Sequence, residues 1–157
     1  MAQKPIRRNE NILELSREHH YSLLFCWKIR QGVKQQVALE RVCRYVNYFW
    51  QQHLGEHFRK EEEILFSMVQ DEPVQKAAAD HQRIRRQIEA LNDNCTDTLL
   101  LQLADEVNEH VRYEERILFP YMEQVLSLSQ LEAVGQQLNA LHDNVKDNYA
   151  DEFWLDK

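Results

Sequence analysis

Two short stretches of the chain repeat the same pair of potential metal ligands at an interval of 53 positions. His57 is followed four residues later by Glu61, and His110 is followed at the same distance by Glu114. Positions i and i+4 of a helix lie on the same face, so each stretch can present an imidazole beside a carboxylate. The same Ile-Leu-Phe run follows both pairs at the same offset. This repetition predicts two related halves of one site.

Each of these stretches is preceded by a segment that offers histidine alone. In the second half of the chain this residue is His81, which has an isoleucine three positions later. In the first half, His20 has a leucine at that offset and His19 has a serine. The repeat therefore favours His20 as the ligand and leaves His19 as the second choice. His53, four residues before His57, is interpreted as a supporting or surface group.

Four imidazoles and two carboxylates that converge on one core would suit a pair of metal ions. Burying two anionic carboxylates costs several kcal/mol each unless cations pair with them. Glu61 and Glu114 could each bridge two metals, about 3.5–4 Å apart, with imidazoles at the terminal positions. Imidazole and carboxylate ligands without thiolate suit iron, manganese or zinc.

The surrounding sequence predicts an all-α fold, an antiparallel up-down four-helix bundle with an additional C-terminal helix. Apolar residues recur at helical spacing, and glycine and proline are rare, with three of each. We treat residues 1–157 as one domain, with the bundle at about 9–126 and the last helix at about 129–150. Gly32 is a plausible end of the first helix, and the second is expected to run about 35 residues, ending before Pro73. Pro120 should kink or end the fourth helix, and Ser129 with Glu132 forms a capping box for the fifth.

Composition excludes several classes of function. The formal net charge of −7 argues against a nucleic-acid partner, which would need a dominant basic face. No apolar run approaches the roughly 20 residues that span a bilayer, and no signal peptide is visible, so we expect a cytoplasmic protein. Cys26, Cys43 and Cys95 are odd in number and far apart, which makes a disulfide or a thiolate zinc site improbable. Cys95 is expected to be an exposed loop thiol.

The pattern resembles the hemerythrin-like, or HHE cation-binding, family over about residues 12–125. The resemblance rests on the two His-x-x-x-Glu stretches with their Leu-Phe continuations, and on Glu18-His19-His20 and Asp80-His81. It implies a non-haem centre of two iron ions, bridged by Glu61, Glu114 and an oxo or hydroxo group. The ligands that it implies are His20, His57, Glu61, His81, His110 and Glu114.

One departure from the family pattern concerns the third helix. Oxygen-carrying hemerythrins have a further histidine four residues after the third-helix histidine, and here that position is Arg85. The resemblance therefore implies a four-histidine, two-glutamate set, similar to that of iron–sulfur-cluster repair proteins and some iron-sensing domains. Arg85 could line an open iron position and hold an anion or polarise a diatomic ligand. Glu62, Glu63 and Glu115, rotated away from the site, are expected to face solvent.

Three classes of function are compatible with these residues. The first is a non-enzymatic di-iron protein that binds or senses oxygen, nitric oxide or iron itself, as a monomer or homodimer. The second is a redox enzyme or repair factor that uses the same centre. The third is a structural bundle with a vestigial site, which the intact set of six ligands argues against. No general acid–base group beyond these ligands stands out in the sequence.

Overall fold

The computed structural model describes residues 7–141 and 147–155, which form helices and short connections without a strand among them. Five helices follow one another along the chain, and a short 3-10 turn lies near the end of the described part. Their bounds are Leu13–Lys34 for the first, residues 39–68 for the second, Glu72–Asp93 for the third, residues 97–125 for the fourth, Leu128–Ala140 for the fifth and Phe153–Leu155 for the turn.

The second and fourth helices each contain wider, π-helical turns. In the second they are Trp50–Leu54 and Glu61–Leu65, and in the fourth Glu114–Leu118. The fourth helix continues past Pro120, so the expected end at this residue is wrong. Pro120 lies in the first turn of the α-helical segment that follows the π turn, where a missing N–H is best tolerated.

The first helix ends two residues later than expected. Gly32 lies inside the helix, and Gln36 takes the left-handed conformation after its end, with φ of 59°. A Cβ on Gly32 would lie 2.7 Å from the ring of Phe153 and 2.9 Å from Val42. Gly32 therefore allows a close approach of the C-terminal segment, whose Phe153 and Trp154 are buried against the first and second helices.

The first and third helices both pack along the fourth, and the first also contacts the second. Their apolar side chains form two separate clusters. One contains Phe25, Phe49 and Leu103, and the other contains Leu15, Leu65 and Leu118. In the first helix, His19 lies between Leu15 of one cluster and Phe25 of the other, so a polar layer divides the apolar core.

The fifth helix begins with a capping box formed by Ser127 and Gln130, two residues before the predicted one. The helix ends at Ala140 rather than near residue 150. Residues 147–149 are not helical. His142, which has no predicted role, and Val145, predicted in the apolar stripe of this helix, lie outside the described residues.

Two of the three cysteines form a disulfide, which corrects the expectation from their spacing. Cys43 of the second helix is bonded to Cys95 in the connection between the third and fourth helices. Cys95 is therefore not a free loop thiol. Cys26 is free and buried in the core. Spacing gave no sign of the pair because the two residues are 52 positions apart and meet only through packing.

Candidate metal centre

The polar layer of the core consists of four imidazoles and two carboxylates. Each of these side chains comes from one of the four long helices, and each residue is at most 4% exposed. The second and fourth helices supply a histidine and a glutamate each, and the first and third supply one histidine each. The six residues are His19, His57, Glu61, His81, His110 and Glu114.

The six side chains form two groups that overlap. One contains His19 and His57, and the other contains His81 and His110. Glu61 and Glu114 belong to both groups, and within each group one ligand atom per residue lies within 4.8 Å of the others. Each group could hold one metal ion, with the two glutamates shared between them.

The imidazoles turn their Nε2 atoms toward the shared carboxylates. Nε2 of His19 lies 2.8 Å from Oε1 of Glu114, and Nε2 of His81 lies 3.1 Å from Oε1 of Glu61. Nε2 of His57 lies 3.4 Å from Glu61. Nε2 of His110 is 3.2 Å from Glu114 and 3.1 Å from Nε2 of His81. All four imidazoles therefore point one nitrogen into the same small volume.

The structure places His19, and not His20, in this centre. His20 is exposed, and Ser22 rather than Leu23 is the buried residue of this turn, while Leu23 is 41% exposed. The leucine three positions after His20 does not mark the buried face of the helix, because this apolar side chain lies on the surface. A better signal was the acidic residue that directly precedes the ligand in Glu18-His19 and in Asp80-His81.

A second layer of carboxylates lies outside the imidazoles and binds their Nδ1 atoms. Glu62 and Glu115, expected to face solvent, belong to this layer. Each helix supplies one carboxylate to the imidazole of the next helix, and the fourth helix supplies one to the first. The Nδ1-to-oxygen distances are 2.8 Å for His57 and Glu18, 2.6 Å for His81 and Glu62, 3.1 Å for His110 and Asp80, and 2.6 Å for His19 and Glu115. Partners of this kind fix the ring orientation of a ligand histidine and raise its basicity.

A cationic side chain neutralises each of these outer carboxylates. Arg85 donates from one nitrogen to both oxygens of Glu62, at 3.0 Å. It thus contacts the partner of His81 rather than an open position at the centre. The other pairs are Lys60 with Glu18 at 3.0 Å, Lys76 with Asp80 at 3.1 Å, and Arg8 with Glu115 at 3.2 Å.

This environment shifts the proton affinity of the imidazoles upward. Burial opposes the charge on His81, but the nearby carboxylates of Glu114, Glu61 and Glu62 outweigh it and raise the pKa to about 10. Burial likewise opposes the charge on His110, and its contacts with Glu114 and Asp80 raise the pKa to about 9. The pKa of Glu114 is held well below its usual range, against burial, by the surrounding imidazoles. The carboxylates of the centre therefore stabilise positively charged imidazoles beside them.

Several buried polar atoms of the centre lack a hydrogen bond among the described residues. They are Nε2 of His57, both carboxylate oxygens of Glu61 and Oε2 of Glu114. Leaving such groups unpaired costs about 1–3 kcal/mol each, and more for charged groups. All three residues belong to the two ligand groups, and a bound cation would give these atoms a partner. The residues present therefore fit a metal site.

The π turns of the two ligand helices lie at the centre. One begins at Glu61 and the other at Glu114, the two carboxylates that both groups share. Single π turns inside α-helices occur frequently at functional sites. Here they lie at matching positions of the repeat, 53 residues apart, so the local backbone follows the same symmetry as the ligands.

Fold and site together define a helical metal-binding domain. The sequence model of the family described as "Hemerythrin HHE cation binding domain" matches residues 11–121. The chain belongs to this family, as its repeated motif predicted. No curated protein and no solved structure gives a significant match. None of the helices within the described residues is long and apolar enough to cross a bilayer.

Proposed function

We propose that this protein holds a non-haem di-iron centre in an antiparallel four-helix bundle and binds or senses a small diatomic ligand or iron. The ligands in this proposal are His19, His57, Glu61 and their counterparts from the other half, His81, His110 and Glu114. The observation that carries it is the pair of overlapping groups that share both glutamates. Two carboxylates common to two sets of imidazoles suit two ions that are bridged.

The ligand chemistry supports iron, with manganese or zinc as alternatives. Imidazole and carboxylate are suited to all three metals, whereas thiolate would select for zinc or an iron–sulfur cluster. The disulfide removes Cys43 and Cys95 from consideration as ligands, and Cys26 is not part of either group. Iron in this site would supply binding of small ligands and exchange of electrons.

Binding or sensing is favoured over carriage of oxygen because two imidazoles per ion, with the shared carboxylates, leave coordination positions open. The protein's own residues orient the ligands and exclude water. Phe58 stacks on His81 with ring centroids 3.7 Å apart, and Phe119 stacks on His19 at 5.4 Å. These rings shield the imidazoles, so that only small molecules would fit inside the centre.

Metal analysis tests this proposal directly. Protein from iron-supplemented cells should carry about two metal ions per chain, as expected for paired sites that share bridging ligands. His57→Ala and His110→Ala should each lower this content, as should His19→Ala. His20→Ala is the matched control, because His20 is exposed and should leave the metal content unchanged.

The visible spectrum tests the binding of a diatomic ligand separately from the binding of metal. A bridged di-iron centre should show absorption that changes when oxygen or nitric oxide is added. Fewer than one metal per chain, unaffected by His57→Ala and His110→Ala, would reject a metal centre altogether. A full content of metal with no spectral response to either gas would reject diatomic binding and leave iron itself as the ligand.

A further inference from the structure

Two cavities reach the candidate centre from outside, one for each group of ligands. The first, of about 360 Å³, lies between the first and second helices and touches His57. The second, of about 390 Å³, lies between the third and fourth helices and touches His110. These cavities have related positions in the repeat, so differences between their walls show what each could admit.

The cavities differ in charge. Four carboxylates and two cationic side chains line the first, while three carboxylates and four cationic side chains line the second. At the first cavity, Lys60 is neutralised by Glu18 and Glu56 pairs with Arg59, while Glu10 adds negative charge toward the surface. An acidic wall raises the local concentration of cations and their rate of association. The first cavity therefore suits a cation better than the second does.

His53 gives the first cavity a potential metal ligand on the way to the centre. It lies one helical turn before His57, and its Nε2 is buried without a hydrogen-bond partner among the described residues. The rings of Phe49 and Tyr48 lie 5.1 and 5.8 Å from its own and hold it in place. Burial lowers the pKa of His53 and so favours the neutral imidazole, the form that can bind a metal ion.

The corresponding position of the second cavity has no such group. The counterpart of His53, at the interval of 53 residues, is Glu106. Its carboxylate accepts a hydrogen bond from Arg83 at 2.5 Å, and Arg83 also pairs with Asp80. At this position the second cavity therefore has a carboxylate paired with an arginine, where the first has an imidazole nitrogen without a hydrogen bond among the described residues.

From these contrasts we propose that the cavity between the first and second helices is the route by which divalent metal ions reach the centre, with His53 as a transient ligand. The inference rests on the proposed metal centre, and His57 belongs to both the cavity wall and the centre. His57 is 4% exposed, lies in the cavity wall, and has an Nε2 without a hydrogen bond. An ion would pass from the carboxylates near the surface to His53 and then to His57.

Loading of the metal-free protein with Co²⁺, followed by stopped-flow absorption, tests the route. Gln52 is exposed and lines the cavity, while Gln51 is exposed and does not. Gln52→Lys should slow loading roughly tenfold at low ionic strength, with a smaller effect at high salt. Gln51→Lys adds the same charge at the adjacent residue and should slow loading clearly less. Both variants should reach the metal content of the wild type.

A second variant tests the imidazole. His53→Phe keeps an aromatic ring among Tyr48 and Phe49 but removes the nitrogen, and should slow loading several-fold without changing the final content. Equal loading rates for the wild type, Gln51→Lys, Gln52→Lys and His53→Phe would overturn the route while leaving the metal centre intact. A wild type that takes up neither Co²⁺ nor Fe²⁺ would overturn both.

Discussion

Nδ1 of His57 lies 2.8 Å from Oε1 of Glu18, the residue directly before His19. The first helix therefore contributes one ligand to the centre and orients another on the second helix. Such outer partners of ligand histidines typically change metal affinity by about 10–100-fold when they are removed.

Glu18→Gln should weaken metal binding within that range. The neutral amide no longer stabilises the positive charge that the His57 ring takes on when it binds a metal ion. Competition with a chelator of known affinity would measure the change. Glu10→Gln, which removes an exposed carboxylate of the same helix end without a contact to an imidazole, is the control. Equal affinities for the two variants would show that Glu18 does not position His57.

Arg85 should act on the centre only through Glu62. It pairs with both oxygens of Glu62, whose Oε2 lies 2.6 Å from Nδ1 of His81. Arg85→Ala should weaken metal binding less than Glu62→Gln does, and the double variant should resemble Glu62→Gln alone. Chelator competition on the four proteins gives the coupling free energy. Additive effects, or a response to nitric oxide that depends on Arg85 when Glu62 is absent, would instead place Arg85 at an open metal position.

Acid should destabilise the metal-free protein in a specific range. Burial opposes ionisation of Glu18 and Asp80, but His57 and Lys60 for the former, and His110 and Lys76 for the latter, lower each pKa to about 2. A carboxyl with a lowered pKa stabilises the fold above its unfolded value of about 4, and this contribution is lost as pH falls toward about 2. The four imidazoles of the centre are protonated in both folded and unfolded chains there, so their contribution to stability does not change with pH in this range.

Urea unfolding at several pH values between about 5 and 2 would measure this loss. The double variant Glu18→Gln, Asp80→Asn should show a flatter dependence of the unfolding free energy on pH. Glu109→Gln, which changes an exposed carboxyl, should keep the slope of the wild type. A slope that is the same in all three proteins would contradict the assignment.

Reduction of the disulfide should lower stability. Cys43 and Cys95 are separated by 52 positions, and a cross-link of that length stabilises by up to roughly 4 kcal/mol in the chain-entropy description. The free energy of unfolding, measured with and without a reductant, should fall by an amount up to this value. The double variant Cys43→Ala, Cys95→Ala should not respond to the reductant. Three free thiols in the unreduced, denatured wild type would contradict the bond.

Much of the centre follows from local spacing. His57 with Glu61 and His110 with Glu114 are neighbours on a helix face whatever the rest of the chain does. His81 follows from the repeat. The repeat does not identify the ligand of the first helix, because the apolar residue after His20, Leu23, lies on the surface. Surface leucines are common, so one of them cannot fix the orientation of a helix.

The outer carboxylates could not be read from spacing. Glu62 and Glu115 are rotated about 100° from the adjacent ligands, which on an isolated helix directs them away from the site. In the folded chain a neighbouring helix lies in that direction, so Glu62 reaches the imidazole of His81 and Glu115 reaches that of His19. The disulfide and the burial of Phe153 against Gly32 depend equally on contacts between distant segments.

The ring of imidazoles and outer carboxylates determines how the centre is lost when a helix separates from the bundle. Each helix takes part in two links, one through its own histidine and one through its carboxylate, as with His57 and Glu62 on the second helix. Withdrawal of any one helix therefore breaks two links, and no helix is held by a single one. The four helices behave as a closed chain, so the centre should be lost as a whole rather than one half at a time.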